Sequence, residues 1–166
     1  MAIKTRRMIE IERKFLVRSS AYREEVLRKS YIAQGFLNTD PDRTVRVRIK
    51  DDKGVLTVKG RSNQEGTTRK EWEYEIPSKD AVAMLELCPV VIEKSRYEIL
   101  VGPHLFEVDE FEGQNAGLVV AEVELSHEDE QFERPDWLGE EVTGQVKYYN
   151  AQLALVPFST WEKEDQ

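Results

Sequence analysis

The chain has 166 residues and a net charge of −8, and charged residues make up 34% of it, against roughly 25% in an ordinary domain. The acidic balance argues against partners such as nucleic acid or an anionic membrane. No apolar run approaches the roughly 20 residues that span a bilayer, no apolar leader follows the basic N-terminus, and the single cysteine, Cys88, excludes an internal disulfide. We expect one cytoplasmic domain over 1–166, with a core over about 8–156 and a frayed tail over 157–166.

Alternation of apolar and polar residues with a period of two dominates the chain and predicts β-strands. The segments with this pattern are 9–17, 31–38, 44–50, 55–59, 68–76, 91–101, 105–111 and 118–125. Between them, 60–66 has the composition of a polar loop, and helices are expected over 78–87 with Ser78 as N-cap, near 128–132, and over 147–155. His104 and His127 lie near turns, and we expect both on the surface.

The charged positions of these strands form blocks of one sign. Glu10 and Glu12 share one face of the first strand, and Arg46 and Arg48 share one face of the third. Like charges two residues apart on a strand lie roughly 7 Å from each other and repel, unless a ligand or counter-ion lies between them. Acidic blocks suit a hard cation, and basic blocks suit a polyanion.

About eight strands can close into a barrel whose lumen holds side chains or one small ligand. Because buried charges are costly unless they are paired or liganded, a wet lumen that holds a ligand is the workable place for them. We therefore predict a fold dominated by β-structure: an eight-stranded antiparallel closed β-barrel with a charged lumen and peripheral helices. An open sheet with one solvated face is the alternative, since it also produces alternation on each single strand.

The motif Glu10-Ile-Glu12-Arg-Lys14 resembles the start of the CYTH superfamily, also called triphosphate tunnel metalloenzymes. Later elements are similar in the same order: Arg46 and Arg48; 57–59; Glu71, Glu73 and Glu75; 93–97; Glu107 and Asp109; Glu122 and Glu124; and 147–150. The stretch 137–143 is similar to the compact bacterial tripolyphosphatases. The resemblance implies an eight-stranded tunnel, a Mg²⁺ or Mn²⁺ cofactor and a triphosphate substrate.

The resemblance also implies roles for single residues. The expected metal ligands are Glu10, Glu12, Glu122 and Glu124. The expected phosphate-binding residues are Arg46, Arg48, Lys59, Lys94, Arg96 and Lys147. Lys14, Glu73 and Asp109 are expected to act in catalysis, Lys14 by balancing charge and the two acids by orienting the attacking water or holding a second metal. Pairing between luminal acids and bases is the structural alternative, and we expect Arg13, Arg43, Lys50 and Arg69 to lie outside the site.

These features predict metal-dependent hydrolysis of inorganic tripolyphosphate. A class IV adenylyl cyclase or an organic (thiamine or nucleoside) triphosphatase is one alternative, and a non-catalytic polyphosphate-binding module is another. Phe36 stands where some relatives have a tyrosine that acts with the motif lysine, a departure from the pattern. Apolar outer strand faces permit a homodimer.

Overall fold

The computed structural model describes residues 9–163 and 166, and in this part of the chain it contains nine β-strands and two α-helices. The strands are β1 (Ile9–Val17), β2 (Val26–Asn38), β3 (Arg43–Lys50), β4 (Lys53–Ser62), β5 (Thr68–Ile76), β6 (Val91–Val101), β7 (His104–Phe111), β8 (Val119–Glu124) and β9 (Leu138–Glu141). The helices are α1 (Ser78–Glu86) and α2 (Asn150–Leu155). Short 3-10 turns lie at Ala21–Glu25, Gly113–Asn115, Val146–Tyr148 and Phe158–Thr160. None of the described helices is long and apolar enough to cross a membrane.

The strands form one antiparallel sheet that closes on itself. Its order is β5-β4-β3-β2-β6-β7-β8-β1, and a further pairing between β1 and β5 completes the ring. One edge of β1 pairs with β8, and the other is shared, with β5 along Ile9–Ile11 and β9 beside Phe15 and Val17. The predicted eight-stranded closed barrel is confirmed, and β9 is one strand outside the ring.

The register of the strands places the charged side chains on the luminal face of the sheet. Glu12 pairs with Glu124, and Lys14 pairs with Glu122, so these four side chains share one face of adjacent strands. The alternate residues of β1 and β6–β8 face outward and form a buried apolar cluster beneath β9 and Trp137. A second cluster, which includes residues of α2, packs at one end of the barrel. A closed ring with apolar packing outside therefore leaves the lumen to the charged side chains.

Several sequence predictions need correction at the level of single elements. β2 begins at Val26 rather than at 31, and β4 continues through 60–62, which the composition assigned to a loop. Pro77 is the N-cap of α1, and Ser78 is its first residue. The helix expected over 147–155 is divided into the turn Val146–Tyr148 and α2, because Tyr149 has an extended backbone.

The helix predicted near 128–132 is wrong: 128–129 form a turn, 130–132 have no regular secondary structure, and side-chain hydrogen bonds hold the segment in place. Glu128 accepts hydrogen bonds from Asn63, Thr67 and Thr68, and Glu130 accepts one from the backbone N–H of Ser126. Glu130 also contacts the His104 ring, so that His104 is largely buried, contrary to expectation. His127 is exposed, as expected.

The tail beyond Pro157 was expected to be frayed, but residues 158–163 make ordered contacts. The backbone N–H of Phe158 donates to Asn115 Oδ1 at 2.8 Å. The Trp161 ring makes edge contacts with the rings of Tyr148 and Phe158, at centroid distances of 5.4 and 5.2 Å. Aromatic packing of this kind fixes the segment against the second apolar cluster.

Candidate active site

A cavity of about 470 Å³ fills the lumen, within the size range of small-molecule sites. All eight barrel strands contribute to it, and its lining is mostly charged. The acidic lining residues are Glu10, Glu12, Glu71, Glu73, Glu107, Glu122 and Glu124. The basic ones are Lys14, Arg46, Arg48, Lys50, Lys59, Arg61, Arg69, Lys94 and Arg96. The structure therefore brings together nearly all of the site residues predicted from sequence.

Arg46 and Arg48 form a basic wall on β3. The Nε atom of each is buried and has no hydrogen-bond partner among the described residues, and neither guanidinium forms an ion pair with them. Burial, together with the neighbouring charges of Arg46 and Arg96, lowers the pKa of Arg48 to about 9. Two cations held side by side without carboxylate partners are a site for an anion with several negative oxygens.

β1 and β8 form an acidic wall. Burial and the nearby charges of Glu122 and Glu10 raise the pKa of the Glu12 carboxyl well above its usual range. Burial also acts to raise the pKa of Glu122, but Lys14 and Arg96 outweigh it and hold this pKa near 2. The Lys14 Nζ atom lies 3.4 Å from Glu122 Oε1. Carboxylates that repel one another beside a cavity attract a cation.

The acidic wall has the donor chemistry of a hard-cation site, since Mg²⁺ and Mn²⁺ take carboxylate oxygens. In the arrangement of residues 9–163, however, no three His, Cys, Asp or Glu side chains are gathered closely enough to hold a metal ion. The Lys59 ammonium donates a hydrogen bond of 2.8 Å to the Glu10 carboxylate, and Lys14 forms an ion pair with Glu122. A metal would therefore have to displace the lysines from these carboxylates.

Asp109 lies behind the cavity rather than in its lining. It accepts hydrogen bonds from Lys94 Nζ at 2.6 Å and from Arg96 Nε at 2.8 Å. Burial alone would raise the pKa of Asp109, but Arg96 and Lys94 hold it well below its usual range. Burial lowers the pKa of Lys94 to about 8, even though Asp109 opposes this. This placement fits a residue that orients two cations, and it removes Asp109 from direct contact with the cavity.

Lys147 also lies outside the cavity lining. Its Nζ atom is 4.6 Å from the centroid of the Trp161 ring and 5.1 Å from that of Tyr148. The cation–π contacts fix the ammonium on the aromatic packing beyond the barrel end. The sequence showed the charge of Lys147 but not the break at Tyr149 that turns the side chain away.

Some cavity residues were not expected there. Lys50 and Arg69 line the cavity, although the sequence suggested that they lie outside the site; Arg13 and Arg43 do lie outside it, in ion pairs with Glu141 and Asp40. Lys50 lies on the same face of β3 as Arg46, so the alternation in the sequence could have predicted its place in the cavity. The cavity also contains Tyr149, whose ring centroid is 5.1 Å from Lys14 Nζ. Phe36 lines the cavity as part of the second apolar cluster.

Residues 8–154 match the CYTH domain family. The chain belongs to this family. It is 47% identical to an inorganic triphosphatase of Acetivibrio thermocellus over 156 residues, which cover 93% of this chain and 98% of that one. It is 36% identical to an inorganic triphosphatase of Nitrosomonas europaea, covering 89% and 98% of the two chains. The crystal structure of the inorganic triphosphatase NE1496 is similar in fold, with a TM-score of 0.63, 34% identity and coverage of 88% and 97%. The CYTH resemblance predicted from the sequence is thus confirmed.

Proposed function

We propose that this protein hydrolyses inorganic tripolyphosphate in the lumen of the barrel. The observation that carries the proposal is the pair of guanidinium groups, Arg46 and Arg48, which form no ion pair with the described residues and lie in a lumen that also holds the acidic wall. The names of the two triphosphatase relatives support the same reaction, because each is similar over nearly its full length.

The proposed reaction also needs a divalent cation, Mg²⁺ or Mn²⁺. Glu10, Glu12, Glu122 and Glu124 would hold it, with substrate oxygens filling the remaining positions. Burial and the repulsion from Glu122 and Glu10 raise the pKa of the Glu12 carboxyl, and this supports the assignment, since a nearby cation would offset both effects. When bound, such an ion neutralises charge on the phosphate oxygens as a Lewis acid.

The residues of the chain supply the rest of the chemistry. Arg46 and Arg48 grip phosphate oxygens, while Lys59, Lys94 and Arg96 balance the negative charge from neighbouring strands. Water attacks the terminal phosphorus, the bond between this phosphorus and the bridging oxygen breaks, and pyrophosphate leaves together with phosphate. Glu73, a cavity carboxylate on β5, would accept the proton of the attacking water.

The cavity favours an inorganic substrate over a nucleotide. Phe36 and Tyr149 are the aromatic residues of its described lining, and both lie with the plug formed by the second apolar cluster and α2. A base or a thiazole ring would need an apolar or aromatic surface next to the phosphates, and the charged walls offer none. An adenylyl cyclase or an organic triphosphatase is therefore the second choice.

Phosphate release from tripolyphosphate, ATP, thiamine triphosphate and pyrophosphate, with Mg²⁺, Mn²⁺ or chelator, tests the proposal. We expect metal-dependent release from tripolyphosphate, its loss in Glu12→Gln, and full activity in Glu86→Gln, which changes an exposed glutamate of α1. Cyclic AMP or thiamine diphosphate as the main product would instead support the alternatives. Tight binding of tripolyphosphate without turnover would identify a binding module and overturn the proposal.

A further inference from the structure

A hydrogen-bonded amide pair, the buried Gln34 and the half-buried Asn150, lies between two cations of the site. Gln34, on β2, is 0% exposed and does not line the cavity. Asn150, the first residue of α2, does line it. The Gln34 amide donates a hydrogen bond to Asn150 Oδ1, which also accepts one from Lys94 Nζ at 2.9 Å. The pair therefore connects β2 and the plug helix α2 to a lysine of the cavity.

The hydrogen bonds of this network can run in one direction only. An ammonium group donates and never accepts, so Lys94 fixes the oxygen of Asn150 as the atom that faces it. Because this oxygen also faces Gln34, Gln34 has to donate through Nε2. Its own Oε1 atom is then left over, and it is buried without a partner among the described residues. A buried amide oxygen with no partner is costly and calls for an explanation.

A buried donor that also lacks a partner among the described residues lies on the neighbouring strand. Gln34 pairs directly with Arg48 in the register of β2 and β3, so the two side chains point to the same face. The Nε atom of Arg48 is also buried and lacks an acceptor in the described structure. An acceptor without a donor thus neighbours a donor without an acceptor, and Arg48 is one of the two residues of the basic wall.

We propose that Gln34 and Asn150 are positioning residues that orient Arg48 and Lys94 together for the phosphates, with Gln34 Oε1 accepting from Arg48 Nε when a polyphosphate is bound. Through Asn150 the same hydrogen bonds hold α2 against the cavity, so that the plug helix and the two cations move as one unit. This inference rests on the proposed function, because it concerns the same cavity. It adds residues that the charge pattern of the sequence does not reveal.

The test measures binding of inorganic tripolyphosphate by calorimetry, in chelator so that no turnover occurs, together with thermal unfolding. Gln34→Met keeps the shape of the side chain but removes both polar atoms, and we expect roughly tenfold weaker binding, the loss typical of one hydrogen bond to a charged group. Its unfolding temperature should stay close to that of the wild type, since the change also removes an unsatisfied buried oxygen. Asn150→Ala should weaken binding by a similar factor, and the double variant should be no weaker than either single one, because the residues act as a unit.

Two controls isolate the effect. Ser30→Ala removes a buried hydroxyl on the same face of β2 that has no hydrogen-bond partner among the described residues. Glu86→Gln changes an exposed glutamate of α1. Both variants should bind tripolyphosphate as the wild type does. Unchanged binding in Gln34→Met and Asn150→Ala, or losses that add fully in the double variant, would overturn the inference while the wild type still binds. Failure of the wild type to bind tripolyphosphate both in chelator and with Mg²⁺ would overturn the proposed function as well.

Discussion

Lys59 donates a hydrogen bond of 2.8 Å to Glu10, so that a cation assigned to the phosphates and an anion assigned to the metal neutralise each other in the free protein. Burial acts to raise the pKa of Glu10, but Lys59 outweighs it, and the pKa of Glu10 is lowered. Both side chains are largely buried, with 16% and 13% exposed. Binding of a metal and a triphosphate would divide this pair and give each group a partner of its own.

Because Lys59 and Glu10 neutralise each other, we expect removal of Lys59 alone to lower stability and removal of both charges to restore it. Lys59→Met leaves the Glu10 charge buried without its partner and should cost about 1–3 kcal/mol of unfolding free energy as well as most of the tripolyphosphatase activity. The double variant Glu10→Gln/Lys59→Met should regain most of this stability but none of the activity. Urea unfolding monitored alongside phosphate release checks both statements. Equal stability in Lys59→Met and in the double variant would show that the ion pair has no such role.

Replacement of Glu12 should stabilise the metal-free protein. The pKa of its carboxyl is raised in the folded state, so the folded protein holds this proton more strongly than the unfolded chain does. The stabilisation from this group is therefore full at low pH and is lost as the pH rises above the usual range of a glutamate. We expect Glu12→Gln to exceed the wild type by about 1–3 kcal/mol near pH 8 and by less near pH 5.

The measurement is thermal unfolding of the chelated protein between these two pH values, with Glu86→Gln as the surface control. Addition of Mg²⁺ should raise the unfolding temperature of the wild type and leave that of Glu12→Gln nearly unchanged. A stability difference that does not vary with pH would argue against a strained Glu12 carboxylate.

Two glycines bring their backbones into close contact near the point where β1 changes its partner from β5 to β9. Gly66 and Gly144 have φ angles of +74° and +77°, and a Cβ atom on Gly66 would lie 2.2 Å from Gly144 Cα. Gly66→Ala should cost about 3 kcal/mol, because backbone would have to move as well as adopt a strained φ. Gly113→Ala is the matched control: its φ is +62°, but no atom lies within 4 Å of the added Cβ. It should cost about 1 kcal/mol, so that chemical denaturation separates the two, and equal losses would mean that the contact does not matter.

Lys147 and Lys94 offer a comparison of two lysines that the sequence assigned to the same role. Lys94 lines the cavity, whereas Lys147 lies over the Trp161 ring. Lys94→Met should reduce kcat/KM for tripolyphosphate by about 100-fold or more, as expected when a buried charge contact to the substrate is removed. Lys147→Met should change it by less than about threefold and act on stability instead. A comparable loss of kcat/KM in both variants would show that Lys147 also acts on the substrate.

The barrel and most of its luminal charges were predictable because a β-strand has a strict period of two. Once Glu10, Arg46 and Glu122 were assigned to the inside, every second residue of their strands followed, and the register confirms this parity. Lys50 and Arg69 belong to the same series and were missed only because they lie near strand ends. The register shifts in the β2–β3 and β4–β5 pairings lie between Phe36 and Asn38 and between Lys59 and Ser62, at one end of the paired segments, so they leave the faces of the charged blocks unchanged.

Other features had no local signal. β9 is four residues long, and its pairing with β1 depends on the register of a strand more than 100 residues away. The position of Lys147 depends on one extended residue, Tyr149, within an otherwise helical pattern. Gln34 and Asn150 are uncharged, so a search for charge pairs does not find them; Asn150 belongs to the element 147–150 of the resemblance, but its contact with Lys94 depends on the fold. The metal, the homodimer and the absence of a nucleic-acid partner stay predictions.

In the proposed complex, one wall of the lumen holds a divalent cation and the other holds a triphosphate. The most direct test is a crystal structure with Mn²⁺ and a non-hydrolysable imido analogue of tripolyphosphate, in which anomalous scattering locates the metal. We predict a manganese peak at bonding distance, roughly 2.2 Å, from carboxylate oxygens of Glu12 and Glu122, with phosphate oxygens on Arg46 and Arg48. A manganese ion held elsewhere, or an analogue bound outside the lumen with both arginines free, would contradict it.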